Sequence, residues 1–169
     1  IDTVGGVASG ELVMNAFLSV LIACVLMMIY IWIRFELFSG IGAVVALLHD
    51  VLIMTAVVAI FRIQINSTYI AACLTIVGYS INATIVLFDR MRENLNLYGS
   101  KLSRAELTDI SVKETLGRSI NTTVTTLIMI VLLYIFGVDS VKEFALPIVV
   151  GLLAGTYSSI LISGPIWMK

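Results

Sequence analysis

Apolar residues fall into five blocks along this chain, each separated from the next by a run of polar ones. A helix needs about 20 mostly apolar residues to cross a bilayer. The blocks therefore predict five spans: about Leu12 to Ile33, Gly40 to Phe61, Thr68 to Phe88, Ile120 to Phe136 and Phe144 to Trp167. Within each block the apolar side chains cover every face, as they do on helices set in lipid or packed in a bundle core. The pattern predicts an all-α integral membrane protein, a polytopic helix bundle.

The interruptions are short, with one exception. Arg34-Phe35-Glu36 closes the first span, Arg62 to Ser67 joins the second to the third, and Gly137-Val138-Asp139-Ser140 joins the last two. The long connection is Asp89 to Ser119. Ser103 followed by Glu106 is a capping-box pattern, so a short surface helix is expected from about Arg104 to Leu116, with Leu107, Ile110 and Leu116 toward the membrane. The first 11 residues, with Gly5, Gly6 and Gly10, have no basic start before an apolar run and do not read as a signal peptide. With no initiator Met, they read as a junction from an upstream segment.

Charge adds direction. Only 12% of the residues are charged and 60% are hydrophobic, against about 25% charged in a soluble domain. If the chain crosses five times, one side holds Arg34, Arg90, Arg92, Lys101, Arg104, Lys113, Arg118 and Lys169. The other holds Arg62 and Lys142. The positive-inside rule places the larger set in the cytoplasm. The N-terminus is then extracytoplasmic and the C-terminus cytoplasmic. No basic patch interleaved with aromatics suggests nucleic-acid binding. Cys24 and Cys73 read as small buried apolar residues, and no metal site, cofactor or hydrolytic motif is expected. The surrounding partner that composition does imply is membrane lipid.

Several polar residues fall inside the spans. Asp50 lies about 14 Å from the cytoplasmic end of its helix, near the bilayer centre. A charged Asp there costs about 2.5–3.5 kcal/mol, so it must be protonated, paired or facing water. It is a candidate proton carrier or a permanent interhelical hydrogen bond. His49 points about 100° away along the helix and is expected to be a satisfied packing histidine rather than the partner of Asp50. Tyr79, Ser80, Asn82 and Thr84 make the third span polar, and Asn82 is expected to bond across to another helix. Arg118 opens the fourth span. It is either a fixed positive charge beside a titrating carboxylate or a border residue reaching the headgroups. Gly151, Gly155 and Ser159 recur every fourth residue, a spacing that lets another helix approach closely.

Three stretches together carry a resemblance: Val45 to Val51, Ile76 to Asn94, and Gly151 to Ile160. In that order and spacing the chain resembles the SecF family, including the SecF halves of fused SecDF chains. The likeness covers essentially the whole sequence. It implies five of the six transmembrane helices of one half of a resistance-nodulation-division (RND) fold. It implies a bacterial-type cytoplasmic membrane location, SecD as partner (a separate chain or a fused half), the SecYEG channel, and exported preprotein touched through domains absent here. It also implies use of the proton-motive force, and it matches Arg118 to the family arginine. The family's intramembrane carboxylate follows the Asn of the Gly-Tyr-Ser-Ile-Asn stretch, and that position here is Ala83, which cannot titrate. A scaffold for SecD and the channel, with the relay carried by SecD, is the second expectation. An exporter of small molecules is the third.

Overall fold

The computed structural model describes residues 6–35, 37–63 and 65–168. Helices α1 (Gly6–Arg34), α2 (Leu37–Ile60), α3 (Ser67–Tyr98), α4 (Arg104–Phe136), α5 (Asp139–Leu161) and α6 (Ser163–Trp167) follow in order, with a 3-10 turn at Gly99–Lys101. Five helical segments are long and apolar enough to cross a membrane, α5 and α6 together making the fifth.

α5 is the centre of the bundle. It packs on α2, α3 and α4, while α1 lies at the edge against α2 and α3. One apolar cluster joins α1, α2, α3 and α6 through Ile31, Leu47, Val77, Phe88 and Trp167. A second joins α2, α3 and α5 through Met54, Val58, Ile76, Ile148 and Leu152. Large apolar side chains such as Leu52, Met129 and Phe136 point outward, which suits lipid and not water.

Glycine sets how closely α5 meets α3. A Cβ on Gly151 would stand 2.5–2.8 Å from the Ile76 side chain, well inside contact distance. One on Gly155 would lie 3.4 Å from Ser80 Cβ and 3.5 Å from Asp50 Oδ2. Ser159 continues the seam, buried, with its hydroxyl donating to the Thr156 carbonyl at 3.1 Å.

Three expectations from the pattern change. The connection from Asp89 to Ser119 is helical over most of its length. α3 runs on to Tyr98, and α4 runs unbroken from Arg104 to Phe136. At 32 and 33 residues these helices are about 48–50 Å long, so their charged ends project beyond a bilayer core of about 30 Å. There is no separate surface helix. Leu107 is 1% exposed, so it is buried within the protein and does not face outward. The capping box is formed: Ser103 Oγ accepts from the Glu106 amide at 3.3 Å, and Glu106 Oε2 accepts from the Ser103 amide at 2.8 Å. It starts the whole of α4.

The last span divides. α5 begins at Asp139, so Pro147 lies within it and not near its end. α5 stops at Leu161 and α6 resumes at Ser163. Pro165 explains the break, since it has no N–H for the Leu161 carbonyl and its ring crowds that oxygen. At the other end of the chain, Gly6 to Glu11 already belong to α1; residues 1–5 lie outside the described ones.

Opposite the hairpin, the turn before α3 is tight. Arg62 has a φ of 53°, a left-handed conformation uncommon outside glycine. Asn66 then caps α3 by accepting from the Tyr69 amide at 3.0 Å, and its amide donates to Glu143 of α5 at 2.9 Å.

Candidate functional site

Asp50 lies at the middle of α2 with 0% exposure. Its Oδ2 accepts two hydroxyl hydrogens, from Ser80 of α3 at 2.5 Å and from Ser158 of α5 at 2.8 Å. One carboxyl thus joins three helices. Its other oxygen, Oδ1, lies 3.1 Å from His49 Nδ1, so His49 is a direct partner after all. The backbones of adjacent residues diverge by about 100°, but the imidazole folds back along the helix surface to meet the carboxyl. Its ring also lies beside Tyr157, with centroids 6.0 Å apart. Thr84 is buried one turn further along α3; the bonds to Asp50 come from Ser80 and Ser158.

A separate cavity of about 100 Å³ opens on the other side of α3. Tyr79, Asn82 and Ala83 of α3 line it, facing Arg118 and Thr122 of α4. Tyr79 Oη is 3.1 Å from Thr123 Oγ1, which lies 2.8 Å from Thr156 Oγ1 of α5. A hydroxyl chain therefore closes the cavity on its inner side. Asn82 and Arg118 are exposed. Among the described residues no hydrogen bond joins Asn82 to another helix; its side chain is exposed, because α3 turns its other face to α5. Arg118 has no salt bridge among the described residues. The structure therefore brings together Arg118, Asn82, Ala83 and Tyr79. It puts Asp50 and His49 on the opposite face of α3, where Ser80 points.

A third polar group lies where α3 and α4 leave the membrane. Arg90 donates through Nε to Glu114 at 2.7 Å and through Nη1 to Glu93 at 2.6 Å. Asn94, fully buried, donates to Glu114 at 2.7 Å and to Ser111 at 3.0 Å. The Arg90 guanidinium, helped by the Asn94 amide, holds the Glu114 carboxyl down at about 2, and these carboxylates in turn raise Arg90. None of Asn94, Ser111 and Glu114 stood out from sequence. Their signal was an uninterrupted helical register through a polar segment, which hydropathy passes over. No cluster of metal-binding side chains occurs among the described residues.

Long apolar helices packed through a glycine seam, with polar groups held between them, define a multi-pass α-helical membrane protein. The model of the family "Protein export membrane protein SecD/SecF, C-terminal" matches residues 1–169. The chain is 47% identical to protein translocase subunit SecF of Cereibacter sphaeroides, over 95% of this chain and 49% of that protein. It is 43% identical to protein translocase subunit SecF of Sebaldella termitidis, over 98% of this chain and 54% of the relative. It superposes on the crystal structure of SecDF, a translocon-associated membrane protein from Thermus thermophilus, with a TM-score of 0.90 and 40% identity, covering 97% of this chain and 23% of that one. The chain belongs to the SecD/SecF C-terminal family, and its bundle is of the RND type seen in SecDF. It spans about half the length of the curated relatives it matches.

Proposed function

We propose that this chain is the C-terminal membrane bundle of a SecF-type subunit, which pairs with SecD, associates with the SecYEG channel and uses the proton-motive force to promote preprotein transport across the bacterial cytoplasmic membrane. In this reading the start of α1 is extracytoplasmic and the end of α6 is cytoplasmic, as the eight-to-two division of basic residues favours.

The observation that carries it is the outward-facing cavity at Arg118. Asn82 lies about 22 Å along α3 from its outer end, and Arg118 about 27 Å below the outer end of α4. Both are inside the membrane's thickness. An amide at the depth of Asn82 faces protein or a wet cavity and not lipid, and Arg118 opens into the same cavity. The partner supported by family membership is SecD. Arg118 stays charged at any working pH. It would stabilise a carboxylate placed against it and so govern when that group takes up a proton. Ala83 supplies no such carboxylate, so the titrating group of this interface comes from the SecD half. The test is Arg118→Ala in the complete SecD–SecF–SecYEG complex. Gradient-driven export is expected to fall by about 10-fold or more, equivalent to about 1.4 kcal/mol, while the complex still assembles. Unchanged export removes Arg118 from the mechanism.

Ala83 itself favours a second reading, in which this bundle only scaffolds SecD and the channel. Ala83→Asp in the same export assay separates the two. A gain in gradient dependence supports a relay geometry around Arg118, and no gain supports the scaffold.

A further inference from the structure

A second cavity is larger than the one at Arg118. It measures about 400 Å³ and lies where α1 ends, α2 begins and α3 leaves the membrane. That volume falls in the range of small-ligand sites, roughly 300–1,000 Å³. Its polar wall is Arg34, Arg92 and Asn96, and its apolar wall includes Ile33, Leu95 and Trp167. We propose that this cavity binds the phosphate headgroup of an anionic phospholipid, with Arg34 and Arg92 as its ligands.

The charges support an anion. Arg34 approaches Asp89 at 3.5 Å, and Arg92 donates to the Arg34 carbonyl at 3.3 Å. Both contacts are long, and each guanidinium carries five N–H donors, so among the described residues most of their hydrogen-bonding capacity is unspent. Glu93 is drawn away to Arg90 at 2.6 Å. Among the described residues there, Arg34, Arg92 and Asp89 sum to +1, opposite in sign to a phosphodiester monoanion. The Arg34 guanidinium also sits 5.2 Å from the centroid of the Phe35 ring, which fixes its direction.

The apolar wall selects a lipid over free phosphate. Ile33 lines the cavity and is exposed, and Ile29, one turn back on the same face of α1, is exposed too. An acyl chain from a headgroup held at Arg34 has an apolar track to follow along α1. Trp167, buried in the bundle, forms the apolar floor of the cavity. Basic cavities between helices at the cytoplasmic boundary are suited to anionic headgroups, and this end of the bundle is the one assigned to the cytoplasm above.

The site can be tested on the full protein complex purified in an uncharged detergent. Thermal stability and native mass spectrometry are measured with added phosphatidylglycerol, phosphatidylcholine or inorganic phosphate. Phosphatidylglycerol is expected to be retained and to raise Tm more than phosphatidylcholine, with no effect of inorganic phosphate. Arg34→Gln and Arg92→Gln are each expected to weaken phosphatidylglycerol binding about fivefold. Arg92→Lys retains most of the binding, and Lys113→Gln on the exposed face of α4 leaves it unchanged. Phosphatidylglycerol binding that is equal in the wild type and in the Arg34→Gln/Arg92→Gln double variant overturns the proposal. So does stabilisation by inorganic phosphate equal to that by lipid, which would make the cavity a free-anion site. Export by the Arg118 interface plays no part in this readout, so the two proposals fail separately.

Discussion

Gly151 and Gly78 look alike in sequence, both being glycines inside long apolar helices, but they meet different surroundings. A side chain on Gly151 runs into Ile76, which is itself 1% exposed and cannot retreat, whereas a Cβ on Gly78 meets nothing within 4 Å. Gly151→Val is therefore expected to lower stability by about 1–3 kcal/mol, the usual cost of overpacking. Gly78→Ala is expected to be neutral or to gain about 0.5–1 kcal/mol from the better helix propensity of alanine. Thermal unfolding of the two variants in detergent compares them, and equal losses would mean that α5 does not pack on α3 as described. The four-residue spacing of Gly151, Gly155 and Ser159 was enough to mark a packing face, and hydropathy alone placed Asp50 at mid-membrane. The partners of Asp50 were less legible. His49 was set aside on the angle between neighbouring positions, which describes backbone direction and not how far an imidazole can fold. Ser158 could not be told from Ser159, because only the rotation of α5 in the bundle decides which hydroxyl points at α2.

The α3–α4 hairpin shows where reading elements by apolarity stops. A hydropathy window locates the point at which a helix leaves the membrane, but it cannot say whether the helix continues into water. Here it continues, because Arg90 with Glu93, and Lys113 with Asp109, lie one turn apart on their own helices, and because Asn94 and Arg90 reach across to Glu114. The capping pattern at Ser103 was readable; the length of the helix it starts was not. Glu114 gives the hairpin a pH dependence. Its carboxyl titrates at about 2 when folded, against an ordinary value of 4.5. The folded form keeps its charge while the unfolded form is already protonated. The contribution is complete above 4.5 and is lost as pH falls from there toward 2. Hydrogen exchange of the hairpin amides, corrected for intrinsic rates, is expected to lose protection across that window. Glu114→Gln is expected to remove the dependence and to lower protection at neutral pH. A wild-type hairpin whose protection stays flat over the same window would show that Glu114 does not hold it.

At the scale of the whole molecule, the bundle has two kinds of outward surface. Over α2 the exposed side chains are apolar, as at Leu52 and Ile53. Between α3 and α4 the surface holds Asn82, Arg118 and Thr122 around a cavity. The first suits lipid, and the second is the face proposed above to meet SecD. The five-helix count and the polar character of α3 and α4 followed from sequence. That Asn82 and Arg118 share one outward cavity while Asp50 faces the other way depends on how the helices are rotated, which is settled only by packing against α5. Site-specific photocrosslinking in the complete complex tests this division most directly. A photoreactive residue in place of Thr122 is expected to capture the SecD half, and one in place of Leu52 is expected to capture no protein. Failure to capture SecD at Thr122, or equal capture at both positions, would contradict the assignment of the Arg118 face as the partner interface.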